Sequence, residues 1–211
     1  MPDAARLGGA ALAAAVAGLA ALRRGRARPL HPQGATVVGR LELAGTEAET
    51  PDDDGLALLR VSRGAGLPAA LPDVQGVALR WWHDGRPQDL LLSSTGRGRW
   101  SRSVLAPRRT VRGAYGTVMP FRTDAGPRVV TAEVAGAPGA RLVVAFDVAE
   151  PAGPARPWGR FVEVAPAPEA DPALRFDPVL HCPRPWSTYP WAAALRLPAY
   201  RTARRRAARP T

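Results

Sequence analysis

Few residues in this 211-residue chain could do chemistry, and no common catalytic template joins them. The histidines and the cysteine are His31, His83, His181 and Cys182, and their spacing matches no zinc site. The adjacent His181 and Cys182 lie in a proline-rich segment and are interpreted as part of a loop. A glycine-rich phosphate loop and a nucleophile elbow are also missing from the sequence. The sequence therefore gives no support to the usual nucleotide-dependent, serine-hydrolase or zinc chemistries.

A second group of candidate residues emerges when short segments are taken in chain order. The segments are 28–34 (Arg-Pro-Leu-His-Pro-Gln-Gly), 59–62 (Leu-Arg-Val-Ser), 76–82 (Gly-Val-Ala-Leu-Arg-Trp-Trp), 88–95 (Gln-Asp-Leu-Leu-Leu-Ser-Ser-Thr) and 196–205 (Arg-Leu-Pro-Ala-Tyr-Arg-Thr-Ala-Arg-Arg). In this order the set resembles the haem catalases. That family uses Arg-x-x-His-x-x-Gly, Arg-Phe-Ser, Gly-Phe-Ala-x-Lys-Phe-Tyr and Asp-Leu-Val-Gly-Asn-Asn-Thr segments, and an Arg-x-x-x-Tyr motif near the C-terminus. The resemblance covers roughly residues 28–95 and, more weakly, residues 196–206.

The resemblance implies three catalytic residues. His31 stands where the family has its distal histidine, which moves a peroxide proton from one oxygen to the other. An imidazole suits this task because its pKa lies near neutrality. Ser62 matches the serine that hydrogen-bonds this histidine and so fixes its tautomer. Ser93 stands at the position of the distal asparagine, which it replaces with a shorter side chain that has no amide donor.

The resemblance also implies a haem b cofactor and the residues that hold it. Tyr200 matches the axial ligand, because a phenolate gives ferric haem an anionic donor. Arg28 and Arg60 match the arginines that bind the haem propionates, a role that suits the planar, bidentate guanidinium group. Arg196 and Arg205, which flank Tyr200 in the sequence, complete the predicted cofactor-binding set, and a positive neighbour favours the phenolate over the phenol.

Two further departures from the family bear on activity. Gly96-Arg-Gly-Arg-Trp100 occupies the place of the family's Pro-x-Phe-Phe, so Trp100 either supplies an aromatic wall or packs in a loop. The family's long helical insertion and its C-terminal helical domain are also absent from this sequence. Because those parts help enclose the pocket, we expect a more open pocket here.

The elements that must carry these residues are short strands. Glycine (21) and proline (23) are plentiful, which favours strands joined by turns over long helices. Period-two apolar runs predict strands at 35–43, 56–62, 76–82, 88–93, 113–121, 128–134, 140–148 and 158–164. Eight such strands suit a closed barrel or a sandwich. We expect a mainly β protein with a single antiparallel eight-stranded barrel of catalase-like type and terminal helices.

The two ends of the chain differ from the barrel in composition. Residues 1–27 comprise an alanine-rich segment and a basic linker, residues 28–190 the barrel domain, and residues 191–211 an arginine-rich helix. Within the first of these, residues 7–22 are uncharged and are followed at once by Arg-Arg-Gly-Arg-Ala-Arg. Two interpretations of 7–22 remain open, namely a helix packed on the domain and a short membrane anchor whose basic flank stays inside.

The charge of the chain allows several partners. Its 29 basic residues are all arginine, and the net charge is +11. Such a charge suits nucleic acid, an anionic membrane surface or an acidic small molecule. Because no helix-turn-helix, zinc-finger or RNA-binding pattern accompanies it, specific nucleic-acid binding is not predicted. Cys182 is the single cysteine and rules out an internal disulfide, which fits a cytoplasmic location, at the inner face of the membrane if residues 7–22 are an anchor.

These observations lead to two functional hypotheses. The first is a haem-binding oxidoreductase, a weak peroxidase that acts on hydrogen peroxide or organic hydroperoxides. The second is a non-catalytic catalase-like barrel that serves as a binding or structural module, perhaps associated with a membrane. The sequence does not determine the substrate or the oligomeric state.

Overall fold

The protein is described by a computed structural model that covers residues 34–167, except 46 and 53, and residues 174–195. The strands are β1 (Gly34–Leu43), β2 (Leu56–Arg63), β3 (Gln75–His83), β4 (Arg86–Ser94), β5 (Gly113–Gly116), β6 (Phe121–Thr123), β7 (Gly126–Ala137), β8 (Ala140–Ala149), β9 (Ala155–Pro166) and β10 (Ser187–Thr188). A short helix, α1, occupies 190–195. None of the helices in the described part of the chain is both long enough and apolar enough to cross a membrane.

Eight of these strands close into an antiparallel barrel. Each strand pairs with the next in the order β1, β2, β3, β4, β5, β7, β8 and β9, and β9 pairs back with β1. The two remaining strands form a small separate sheet with the start of β7. In this sheet β6 pairs with β7, and β10 pairs with β6. The predicted fold class, a closed antiparallel eight-stranded barrel, is therefore confirmed.

The interior of the barrel is filled by alternate residues of each strand. Side chains at every second position point inward, and those of Leu59, Leu79, Leu90, Val144 and Phe161 are completely buried. The residues between them point to the outside of the barrel. The outer positions of β1–β4 matter here, because the predicted site residues of the described chain lie on them.

The segment around Trp186 covers one end of the barrel. Trp186 is buried there, with its ring centroid 5.3 Å from that of Phe121 and 5.2 Å from that of Trp158. Trp158 in turn meets Phe146 of β8 edge-to-face. These aromatic rings close the interior at the end of the barrel to which β6 and β10 belong.

The strand predictions miss the two-residue strand β10 and differ from the structure in two further places. The predicted strand 113–121 is divided into β5 and β6, because Val118 has a positive φ of 60° and Pro120 cannot donate to a ladder. The predicted connector 149–157 is shorter than expected, because β9 begins at Ala155. Pro157 is accommodated at the register shift between β8 and β9, where its missing N–H does no harm.

Candidate functional site

The candidate site is the outer face of β1–β4, where three of the predicted residues lie on adjacent rows. Ser62 of β2 faces Gly76 of β3, and Gly76 faces Ser93 of β4. With strands about 4.8 Å apart, the Cα atoms of the two serines are about 10 Å apart. Arg60 lies two residues before Ser62 and so projects from the same face. The register thus brings Arg60, Ser62 and Ser93 to one surface.

Arg60 is held close to the barrel wall. Its side chain is buried although it lies on the outer face. A Cβ atom placed on Gly34 of β1 would lie 2.6 Å from Arg60 Cζ, so only glycine leaves room for the guanidinium group there. The position of Arg60 therefore depends on its neighbour on β1 as well as on β2.

Thr36 contributes an unsatisfied hydroxyl next to Arg60. The two residues face each other across β1 and β2, and both are buried. Among the described residues, Thr36 Oγ1 has no hydrogen-bond partner. A buried hydroxyl without a partner is costly, and an added acceptor beside Arg60 would satisfy it. A guanidinium group beside a buried hydroxyl without a partner is the kind of arrangement that can bind a carboxylate.

The other predicted site residues lie outside the described part of the chain. Arg28 and His31 precede β1, and Arg196, Tyr200 and Arg205 follow α1. The axial ligand, the distal histidine and three of the four cofactor-binding arginines therefore stay predictions. Within the described residues, no group of three or more histidine, cysteine, aspartate or glutamate side chains could hold a metal ion.

A buried ionic cluster lies on the same outer face, two rows from Ser93. Arg80 of β3 and Asp89 of β4 face each other, and Arg80 Nε and Nη2 each donate to the Asp89 carboxylate at 2.6 Å. The Asp177 backbone N–H donates to the same carboxylate at 2.7 Å. Arg80 also donates to the Arg175 carbonyl and lies over the ring of Phe176. The segment 175–181 is thereby fixed to the outside of the barrel.

His181 completes this cluster. Its Nδ1 lies 3.1 Å from Asp89 Oδ2, while the side chain is about one third exposed. When Nδ1–H donates to Asp89, the other ring nitrogen is left as a proton acceptor, an arrangement that orients an imidazole for proton transfer. The loop placement of His181 was expected, but its pairing with a buried carboxylate was not. Nothing in the proline-rich sequence around His181 marks a contact with a strand 92 residues away.

Trp100 is highly exposed in the described structure. It belongs to the loop that joins β4 and β5, is 71% exposed, and is covered on one face by the Arg99 guanidinium group at 4.7 Å. Its position in a loop agrees with the second of the two predicted placements, and a role as an aromatic wall stays a prediction.

The comparison with known proteins found no relative of this chain. No protein-family model matches the chain, and no curated protein is significantly similar to it. The likeness to the haem catalases therefore rests on the motif residues themselves and on their order.

Proposed function

We propose that this chain is a small haem-binding barrel of the catalase type, with weak peroxidase activity toward hydrogen peroxide or organic hydroperoxides. The observation that carries the proposal is the buried pair Arg60 and Thr36, a cation beside a hydroxyl without a partner, on the face that also bears Ser62 and Ser93. Such an enzyme would serve in protection against oxidative stress.

In this proposal each residue has one task. Arg60, with Arg28, binds the carboxylates of the cofactor, and Thr36 adds a hydrogen bond to one of them. His31 takes a proton from the peroxide and returns it, and Ser62 holds the imidazole in the required tautomer. Tyr200 would hold the iron, with Arg196 and Arg205 nearby in the sequence. When bound, haem supplies the iron centre at which the peroxide O–O bond breaks.

A haem titration of the full-length chain tests the proposal. We expect a shifted Soret band that saturates at one haem per chain, and a change in that band in the Tyr200→Phe variant. Arg60→Gln should weaken haem binding by roughly tenfold or more, since a charge-assisted bidentate contact is lost. Arg40→Gln, an exposed change on the same face of β1, is the matched control and should bind haem like the parent. No saturable Soret shift would contradict the proposal.

The non-catalytic alternative is supported by a different observation. Around Arg80 and Asp89 the outer face of β3 and β4 is already occupied by residues 175–181 of the same chain. A face covered in this way serves the stability of the barrel without any cofactor. Failure to bind haem, together with a folded and stable barrel, would favour this structural or binding module.

A further inference from the structure

The loop between β4 and β5 exposes an apolar group of side chains among arginines. Its three large apolar residues are highly accessible to water: Trp100 is 71% exposed, Val104 59% and Leu105 50%. These residues lie within six positions of one another in the sequence. Three large apolar side chains so close together and so exposed mark a surface that contacts something other than water.

The backbone of this loop is fixed by hydrogen bonds. The Arg102 N–H donates to the Gly98 carbonyl and the Val104 N–H donates to the Ser101 carbonyl, which makes two successive hydrogen-bonded turns. Thr95 and Leu105, on either side of these turns in the sequence, form an isolated β-bridge. Arg102 is buried, and its side chain donates to the Gly153 carbonyl in the turn between β8 and β9. The exposed side chains are therefore held outward by an ordered support, so that little conformational entropy is lost on binding.

The charge around the apolar residues has one sign. Between Asp89 and Asp124 the sequence contains no acidic residue, and the loop alone carries six arginines. Arg97 is paired with Glu133, and Arg102 is buried. In contrast, Arg99, Arg109 and Arg112 are exposed and form no ion pair within the described residues. A partner of complementary charge must be anionic.

We propose that the segment 96–112, here called the β4–β5 loop, docks the protein on an anionic lipid bilayer surface. Tryptophan is favoured at the membrane–water interface, aliphatic side chains gain by burial among acyl chains, and arginines bind the phosphate headgroups. Gly34, the first residue of β1, lies in the same row of the sheet as Ser93, at the end at which β4 stops. The proposal is independent of haem binding.

A single-stranded nucleic acid fits this surface less well. Proteins of that kind bind bases on open aromatic faces. One face of Trp100 is already covered by Arg99, and Val104 and Leu105 offer no ring on which a base could stack. An acyl layer, by contrast, accepts aliphatic and aromatic side chains alike.

The decisive measurement is amide hydrogen exchange of the full-length chain with vesicles. We expect anionic vesicles of phosphatidylglycerol and phosphatidylcholine to slow exchange in the β4–β5 loop, and vesicles of phosphatidylcholine alone to have much less effect. The turn at Asp84 and Gly85, at the other end of β4, should keep its exchange rates. Binding that protects only residues before Gly34 would overturn the proposal. Protection of the loop by a single-stranded oligonucleotide but not by anionic vesicles would also overturn it.

Matched variants measure the contribution of individual side chains by vesicle co-sedimentation. Trp100→Ala should weaken partitioning by about tenfold or more, because a large apolar side chain no longer inserts. Trp191→Ala, which removes an exposed tryptophan outside the loop, should change it by less than about twofold. Arg99→Gln and Arg109→Gln should each reduce partitioning by about fivefold. Equal partitioning of the Trp100→Ala and parent proteins, with loop exchange unchanged, would refute the docking surface.

Discussion

Arg80 and Asp89 face each other across the β3–β4 hairpin and form a bidentate ion pair that is almost completely removed from water. Both hydrogen bonds measure 2.6 Å, and the aspartate side chain has no exposed area. Because the carboxylate also accepts from the Asp177 N–H and meets His181, this one pair connects the barrel wall to the segment that covers it.

Loss of the Asp89 charge should destabilise the protein strongly. In Asp89→Asn, Arg80 keeps its charge in a buried position with no carboxylate to oppose it. Breaking one partner of a buried pair typically costs about 3–5 kcal/mol, so we expect a loss of that order in the free energy of unfolding. Urea denaturation followed by circular dichroism measures it.

Two controls separate this effect from a general loss of charge. Glu133→Gln removes the carboxylate of an exposed pair with Arg97 and should leave the urea midpoint almost unchanged. The double variant Arg80→Met/Asp89→Leu removes both buried charges and should recover most of the loss. If Asp89→Asn unfolds at the same urea concentration as Glu133→Gln, the buried pair does not stabilise the fold.

The β3–β4 hairpin shows which contacts can be predicted from the sequence alone. Asp84 and Gly85 both have positive φ, 49° and 68°, as a two-residue type I′ turn requires. That turn fixes the register, and with it the pairing of Arg80 with Asp89, which could have been read from the sequence. The β-strand pattern of the whole barrel was predicted for the same reason, since alternation and turn residues are local signals.

Other contacts had no local signal. His181 meets Asp89 from a proline-rich segment without periodicity, so its partner is determined only by the tertiary fold. The orphaned hydroxyl of Thr36 is likewise a property of packing and not of sequence pattern. The predicted roles of His31 and Tyr200 remain based on resemblance, because both residues lie outside the described chain.

Alkaline pH should test the environment of Tyr115. Its side chain is fully buried, its hydroxyl donates to the Val111 carbonyl at 2.7 Å, and burial raises the pKa of the phenol. The folded state therefore holds this proton more tightly than the unfolded chain, whose tyrosines titrate near pH 10. The resulting stability is complete below about pH 10 and is lost as the pH rises toward the folded pKa.

Two variants separate the contribution of Tyr115 to stability at alkaline pH from that of other groups. Stability measured by urea at a series of pH values should fall above about pH 10 in the parent and in Tyr189→Phe, and less steeply in Tyr115→Phe. At neutral pH, Tyr115→Phe should be less stable by about 1 kcal/mol, because the Val111 carbonyl loses its donor. Identical pH profiles for all three proteins would show that Tyr115 ionises freely in the folded state.

If haem binds as proposed, peroxide dismutation should be slow. Ser93 stands where the resemblance implies an asparagine, so one hydrogen-bond donor to the peroxide is absent or displaced, a change that costs on the order of 10²–10³ in rate. Oxygen evolution at equal haem occupancy should rise by about tenfold or more in Ser93→Asn, while Ser187→Asn on β10 should have no effect. His31→Ala should abolish activity because the proton shuttle is lost. Dismutation at catalase-like speed in the parent, or full activity in His31→Ala, would contradict this account.

The buried side chain of Trp186 should contribute more to the stability of the protein than an exposed tryptophan does. Trp186 is 4% exposed and packs between Phe121 and Trp158, so Trp186→Ala leaves a large cavity at the end of the barrel. Replacing a buried tryptophan by alanine typically lowers the free energy of unfolding by about 3–5 kcal/mol. The loss should appear as a lower urea midpoint.

Trp191 provides the matched comparison, because it is 45% exposed and lies five residues further along the chain. Trp191→Ala removes the same atoms without opening the core and should shift the midpoint only slightly. Trp186→Phe should lie between the two alanine variants, since it keeps one ring against Phe121 and Trp158. If the two alanine variants unfold at the same urea concentration, the segment that carries Trp186 does not belong to the cooperative unit of the barrel. Its contacts with β6 and β9 would then open without unfolding the strands beneath them.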